Sequence, residues 1–136
     1  MIPKPNDVER LIACAQDAQK TAYAPYSKYQ VGAAVLTEEG KIYQGGNIEN
    51  AVYPLTTCAE RVAITKAVSE GARKIIAIAV VTENGGSPCG SCRQIMREFG
   101  DDDLQVYIAK VDGNHTLYTL DQLLPDSFSA QDLESS

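Results

Sequence analysis

The stretch Lys74 to Thr82 (KIIAIAVVT) is almost wholly apolar and rich in β-branched residues. A strand of that composition has no face to turn toward water, so it belongs in the middle of a sheet covered on both sides. The segments around it carry the helical period instead. Val8, Leu11, Ile12, Ala15, Ala18 and Ala22 recur at three- and four-residue spacing, which predicts an amphipathic helix from Asp7 to about Ala22 with Asn6 or Asp7 as its cap. Cys58 to Glu70 (CAERVAITKAVSE) reads as a second helix, capped by Thr56 or Thr57 and closed by Gly71. A third follows Pro88, with the proline near its first turn and Gly100 at its end.

Further strands flank these helices. Gln30 to Thr37 and Lys41 to Gln44 surround Glu38-Glu39-Gly40, which predicts a hairpin whose second strand ends at Gly45-Gly46. Tyr23 to Tyr29 carries Pro25 and Ser27 and is expected as a loop. Leu104 to Val111 and His115 to Tyr118 are strands joined by a turn at Asp112-Gly113-Asn114, and Leu120 to Leu124 is a short helix stopped by Pro125. With no repeat and no dividing linker, residues 1–136 are expected to form one layered α/β domain, the last residues (129–136) being a polar tail. At 136 residues, 44% apolar and 22% charged, the chain has the size and balance of such a domain.

Charge and hydropathy remove several function classes. Twelve basic against eighteen acidic side chains leave a net −6, a field that repels phosphate backbones and disfavours a polynucleotide partner. No apolar run approaches the ~20 residues of a membrane span. The start MIPKPNDVER has neither the basic nor the apolar part of a secretion signal, so a cytoplasmic location is expected.

The four cysteines carry the chemistry. Cys89-Gly90-Ser91-Cys92 alone is compatible with a redox pair, half of a structural zinc site, or chance. Cys58-Ala59-Glu60, at a second helix start, strengthens the metal reading, because three soft ligands on two helix N-termini can converge on one ion. Three ligands leave a fourth position for water, the mark of catalytic zinc, whereas a fourth cysteine, Cys14, would close the site and make it structural. Cys14 lies between Ala13 and Ala15 on the first helix and reads as a small core residue. Three thiolates around a divalent ion leave −1, so positive potential is needed, and Arg61 and Arg93 are placed to hydrogen-bond the sulfurs. His115, beside a turn, reads as an exposed strand residue rather than a ligand.

The motifs C-A-E and P-C-G-S-C resemble those of the zinc nucleoside and nucleotide deaminases. AYAPYSKYQVGAA, GGNIENA, CAERVA, SPCGSCRQ and QLLPDSF extend the likeness to the small cytidine deaminases along nearly the whole chain. The resemblance implies a three-layer α/β/α sandwich with a mixed central sheet of about five strands. It implies one zinc ion per subunit on Cys58, Cys89 and Cys92, with hydrolytic deamination of cytidine and deoxycytidine at C4. Glu60 would take a proton from the metal-activated water, deliver it to N3 and help protonate the departing amine. Asn47 and Glu49 would meet the ribose, Tyr29 and Ala59 would line the nucleoside pocket, and Phe128 and Tyr53 would reach a neighbouring subunit's site within a homotetramer. Family members usually carry Phe where this chain has Tyr29, which adds a hydroxyl in need of a partner. The competing readings are deamination of another cytosine compound, such as a nucleotide or a blasticidin-like antibiotic, and an interaction module stabilised by structural zinc.

Overall fold

The structure, a computed structural model, describes residues 2–134. The helix α1 spans Pro5–Lys20 and starts earlier than the apolar period suggests. Pro5 occupies its first position, where a missing N–H costs nothing, and Lys4 is the cap residue in place of the expected Asn6 or Asp7. Asp7 serves that end from within the helix, accepting from the Lys4 N–H at 3.4 Å.

Strands β1 (Gly32–Thr37) and β2 (Ile42–Gly46) form the expected hairpin, with Gly40 at φ +90 in its turn. Gly45 and Gly46 lie inside β2, paired with Ala33 and Gly32, rather than past its end. The helix α2 (Ala59–Ser69) leads to β3 (Ile75–Thr82), and α3 (Gly90–Phe99) leads to β4 (Gln105–Lys110). The antiparallel β5 (His115–Thr119) and the short α4 (Leu120–Leu123) follow. The expected plain tail contains one more turn of helix, α5 (Ala130–Glu134), opened by a Ser129 N–H to Asp132 Oδ2 bond of 2.7 Å. Residues 135 and 136 of that tail lie outside the described residues.

The sheet order is β2-β1-β3-β4-β5, which puts the apolar strand β3 at its centre as the composition requires. Only β3 and β4 run parallel; the other pairings are antiparallel, so the sheet is mixed. Alternate residues of each inner strand feed two separate cores. Ala34, Leu36, Ala79, Val81, Tyr107 and Ala109 face α1 through Leu11, Ile12 and Ala15. Ala33, Val35, Ile78, Val80, Val106 and Ile108 face the opposite layer, with Ala63, Ile64 and Ala67 of α2 and Cys92 and Met96 of α3. The three layers are therefore α1, the sheet, and the pair α2/α3.

Packing between α1 and the sheet is close enough to demand glycine. A methyl on Gly32 would lie 2.0 Å from the Ala15 carbonyl oxygen and 2.3 Å from the Gln19 nitrogen, both rigid backbone. The opposite layer brings the starts of α2 and α3 together at the carboxyl end of β3, where a crossover in a parallel pair leaves a crevice. Among the described residues no helix is long and apolar enough to cross a membrane.

Candidate functional site

Cys58 and Cys89 each stand at the N-cap of their helix, in extended conformation, with the first intrahelical bonds running to their own carbonyls: Val62 N–H to Cys58 O and Arg93 N–H to Cys89 O, both 3.0 Å. The caps expected at Thr56 or Thr57 are thus displaced by the cysteine itself. This geometry points both sulfurs at helix starts, whose free N–H groups favour negative charge. Cys92 lies inside the first turn of α3 and is buried.

The sulfurs of Cys58, Cys89 and Cys92 lie within 4.8 Å of one another, with Cys89 and Cys92 at 3.4 Å. A tetrahedral zinc with Zn–S near 2.3 Å sets its sulfurs about 3.8 Å apart, so the cluster has the dimensions of such a site. Cys14 has no part in it. It packs in the α1 layer, with the sheet between it and the other three, so a closed four-cysteine site is not formed. Burial, with the nearby Asp17 charge, pushes the Cys14 thiol up.

The three thiols compete for negative charge. Hydrogen bonding from Cys92 lowers Cys58 to about 6, with help from Cys89 and the Arg61 charge against the opposing effect of burial. The same contact pushes Cys92 up, as does its burial. Charging all three sulfurs therefore needs a cation. The Arg61 Nε is buried without a hydrogen-bond partner among the described residues, a donor held where a more negative cluster would use it. The donor set, its spacing and this orphaned N–H all fit a soft divalent ion such as zinc.

Glu60, on the first turn of α2, is 4% exposed. Its burial, with a further push from Cys58, raises its proton affinity. It shares a cavity of about 180 Å³ with Cys58, Cys89, Ala59, Asn47 and Tyr29. Asn47 is also a structural tie: its Oδ1 accepts from the Val31 N–H and its Nδ2 donates to the Tyr29 carbonyl, both at 3.0 Å. The Tyr29 hydroxyl, which needed a partner, donates to Asn84 Oδ1 at 2.7 Å.

Other expected site residues stand elsewhere. Among the described residues Arg93 meets oxygen acceptors rather than sulfur. Its Nε, Nη1 and Nη2 donate to the Pro88 carbonyl, the Leu123 carbonyl and Ser87 Oγ at 2.8, 2.7 and 2.8 Å. It braces the loop that presents Cys89, because the side chain of a first-turn residue leans back along the helix toward that loop. Glu49 lines a neighbouring cavity of about 370 Å³ with Tyr26 and Tyr53, and Thr56 borders both spaces. Its carboxylate accepts from the Tyr26 and Ser27 N–H groups at 2.9 and 3.1 Å and from the Ser27 hydroxyl. The Ser27 hydroxyl and these amides hold Glu49 below the usual carboxylate range. Tyr53 and Phe128 are 74% and 59% exposed, and neither borders the Glu60 cavity of its own chain. The Phe128 carbonyl is held by Gln94 Nε2 at 2.8 Å.

Sequence reasoning missed Thr82 and Gly86, which line the cavity at the end of β3. Thr82 is a nearly buried hydroxyl at the carboxyl end of the central strand, and that position in an α/β sheet was the available signal. A larger cavity, about 510 Å³, lies at the other end of α3 beside Arg73, Arg97 and Asp101. Of its lining charges, Lys74 pairs with Asp101 and Arg97 with Asp102, and among the described residues it holds no cluster of metal donors of the kind found at Cys58.

Residues 5–108 match the family model for the cytidine and deoxycytidylate deaminase zinc-binding region, a span that contains all three clustered cysteines and Glu60. The chain is 50% identical to a cytidine deaminase of Sporosarcina psychrophila, over 93% of this chain and 95% of that one. It is 48% identical to a cytidine deaminase of Halalkalibacterium halodurans, over 93% and 98% of the two chains. The crystal structure of a cytidine deaminase from Burkholderia pseudomallei superposes with a TM-score of 0.84 at 45% identity, covering 88% of this chain and 98% of that one. The family model spans most of the chain, the relatives match it over nearly its whole length and the fold superposes, and the chain belongs to the cytidine and deoxycytidylate deaminase family.

Proposed function

We propose that the chain is a zinc-dependent deaminase of cytidine and deoxycytidine, releasing ammonia and leaving uridine or deoxyuridine. The observation that carries this reading is one buried carboxylate, Glu60, that lines a single cavity with Cys58 and Cys89, two members of a three-sulfur cluster completed by the buried Cys92. Zinc held by Cys58, Cys89 and Cys92 would supply a Lewis acid and an acidified water. The remaining work falls to side chains. Glu60 takes a proton from the attacking water and passes it to N3, so that a bond forms at C4 of the ring. It then takes the remaining proton from the new C4 hydroxyl and passes it to the exocyclic nitrogen as the C4–N bond breaks and the C4 carbonyl forms; water is consumed and ammonia leaves. Burial raises its proton affinity, which suits a group that must carry a proton between two acceptors.

Tyr29, Asn47 and Ala59 form the nucleoside wall, and Arg61 supplies positive charge to the sulfurs. Glu49 reads the sugar. Its carboxylate offers about four lone-pair sites. The Tyr26 and Ser27 amides and the Ser27 hydroxyl fill three of them, leaving one for a ribose hydroxyl. Neither of the two adjoining cavities is lined by Lys or Arg among the described residues, which favours a nucleoside over a nucleotide. The exposed side chains Val52, Tyr53 and Leu55, with Phe128, support assembly of a homotetramer in which subunits complete one another's sites. Residues 1–136 then act as one domain in cytoplasmic pyrimidine salvage.

Steady-state rates with cytidine, deoxycytidine, their 5′-monophosphates and blasticidin S test the substrate class. The nucleosides should dominate kcat/KM; a clear preference for a phosphorylated or antibiotic substrate would overturn the reading. Light scattering tests the assembly, and an active monomer would contradict shared sites.

A further inference from the structure

Tyr29 is held at three points. Its N–H donates to Ser27 Oγ at 3.0 Å, its carbonyl accepts from Asn47 Nδ2 at 3.0 Å, and its hydroxyl donates to Asn84 Oδ1 at 2.7 Å. The first two contacts stay within the wall formed by residues before β1 and after β2. The third runs from Tyr29, which lines the Glu60 cavity, to the loop that follows β3, which carries the lining residue Gly86 and leads to Cys89.

That loop has its own internal brace at Thr82. The Gly86 N–H donates to Thr82 Oγ1 at 2.7 Å, and the Thr82 hydroxyl donates to Asn84 Oδ1 at 3.4 Å. Asn84 Oδ1 thus receives two donors, one from each wall. The Tyr29 hydroxyl lies directly over Gly86, where an added methyl would stand 2.7 Å from its oxygen. On the other side, Ser27 Oγ accepts from Tyr29 while donating to Glu49. Hydrogen bonds therefore link Glu49 through Ser27 to the backbone of Tyr29, and from the Tyr29 hydroxyl through Asn84 and Thr82 to Gly86, three positions before Cys89.

We propose that the Tyr29–Asn84 hydrogen bond is a latch that fixes the nucleoside wall against the loop bearing Cys89, holding the pocket at its working width before substrate arrives. This inference rests on the nucleoside reading above. Tyr29 and Asn84 are positioning residues in it: their bond takes no part in proton transfer, and its benefit is pre-organisation, which lowers the cost of ordering the pocket on binding. A surface hydrogen bond of this kind is worth a few-fold in affinity. Without the bond, the cost of ordering the pocket is carried equally by the substrate complex and the transition state, so its loss should raise KM and leave kcat alone.

Four variants and two readouts test the latch. Tyr29→Phe removes only the hydroxyl, Asn84→Ala only the acceptor, and the double variant removes both. Each should raise KM for cytidine about three- to tenfold at unchanged kcat and zinc content, and the double should cost no more than either single. Asn84→Asp keeps an acceptor oxygen and should restore KM. Amide exchange in the substrate-free protein gives a readout without turnover: in Tyr29→Phe, segments 27–31 and 84–88 should both exchange faster. Additive effects, KM within twofold of the parent, or unchanged exchange in both segments would each overturn the latch. Failure of the parent protein to deaminate cytidine would instead overturn the nucleoside reading, while the exchange experiment would still decide whether the two walls are joined.

Discussion

Replacing Arg93 by lysine keeps the positive charge beside the metal cluster but cannot reproduce a guanidinium that bonds three acceptors at once. The Pro88 carbonyl, the Leu123 carbonyl and Ser87 Oγ are met by three different nitrogens at 2.7–2.8 Å. A lysine ammonium at this half-buried position can satisfy one of them, so two charge-assisted bonds are lost. At the lower end of their usual worth, about 1.5 kcal/mol each, the expected loss is about 3 kcal/mol. For a domain of this size that lowers the melting temperature by about 10 °C. Because the loosened loop presents Cys89, zinc affinity should fall as well, by about tenfold or more. Thermal melts of metal-loaded and metal-free protein, with zinc competition against a chromophoric chelator, measure both. Arg93→Lys indistinguishable from the parent in melting and zinc affinity would refute the brace. If Arg93→Gln were weakened while Arg93→Lys was not, the arginine would act through its charge on the sulfurs.

Gly32→Ala should destabilise the fold by about 3 kcal/mol, because the added methyl meets α1 backbone atoms on which no side chain can give way; urea unfolding with an unchanged midpoint would contradict the packing described. Chelation of zinc should lower the melting temperature, since an ion present at a thousand times its Kd contributes about 4 kcal/mol. Cys14→Ser should leave bound zinc at the parent stoichiometry, and loss of metal would contradict the three-cysteine site. The folded-state pKa of Glu49 is depressed by the Ser27 hydroxyl and the adjacent amides, so its contribution to loop order is present above the ordinary carboxylate value and lost as pH falls through the depressed one. Amide protection at Tyr26 and Ser27 should therefore persist below pH 4.5 and be absent in Glu49→Ala; early loss in the parent would contradict it.

Much of this molecule was legible in the chain because its central strand tolerates only one environment. Ile75 to Val81 must be covered on both faces, and the helical periods before and after it supply the covers. The metal donors were equally readable, since Cys58 and Cys89 sit where a strand-to-helix turn ends. Helix caps were not. Pro5 is favourable at a first helical position irrespective of the apolar period, and cysteine is not among the usual caps, so Thr56 and Thr57 outranked Cys58 on propensity alone. The acceptors of Arg93 were hidden for a different reason. Closeness to Cys92 in the chain says nothing of direction, and its acceptor at Leu123 is thirty residues away on α4. The Tyr29–Asn84 bond spans fifty-five positions and depends on how two loops meet, which no local pattern encodes. Tyr53 and Phe128 are exposed in one chain, so the part proposed for them in a site would need a neighbour.

The central claim is that Glu60 moves protons beside a zinc ion held by Cys58, Cys89 and Cys92. Glu60→Gln preserves the size and polarity of this buried side chain while removing its ability to accept and return a proton. Measured on protein whose zinc content and melting temperature match the parent, kcat for cytidine should fall by at least about a hundredfold. Turnover equal to the parent in that zinc-loaded variant would contradict the assignment.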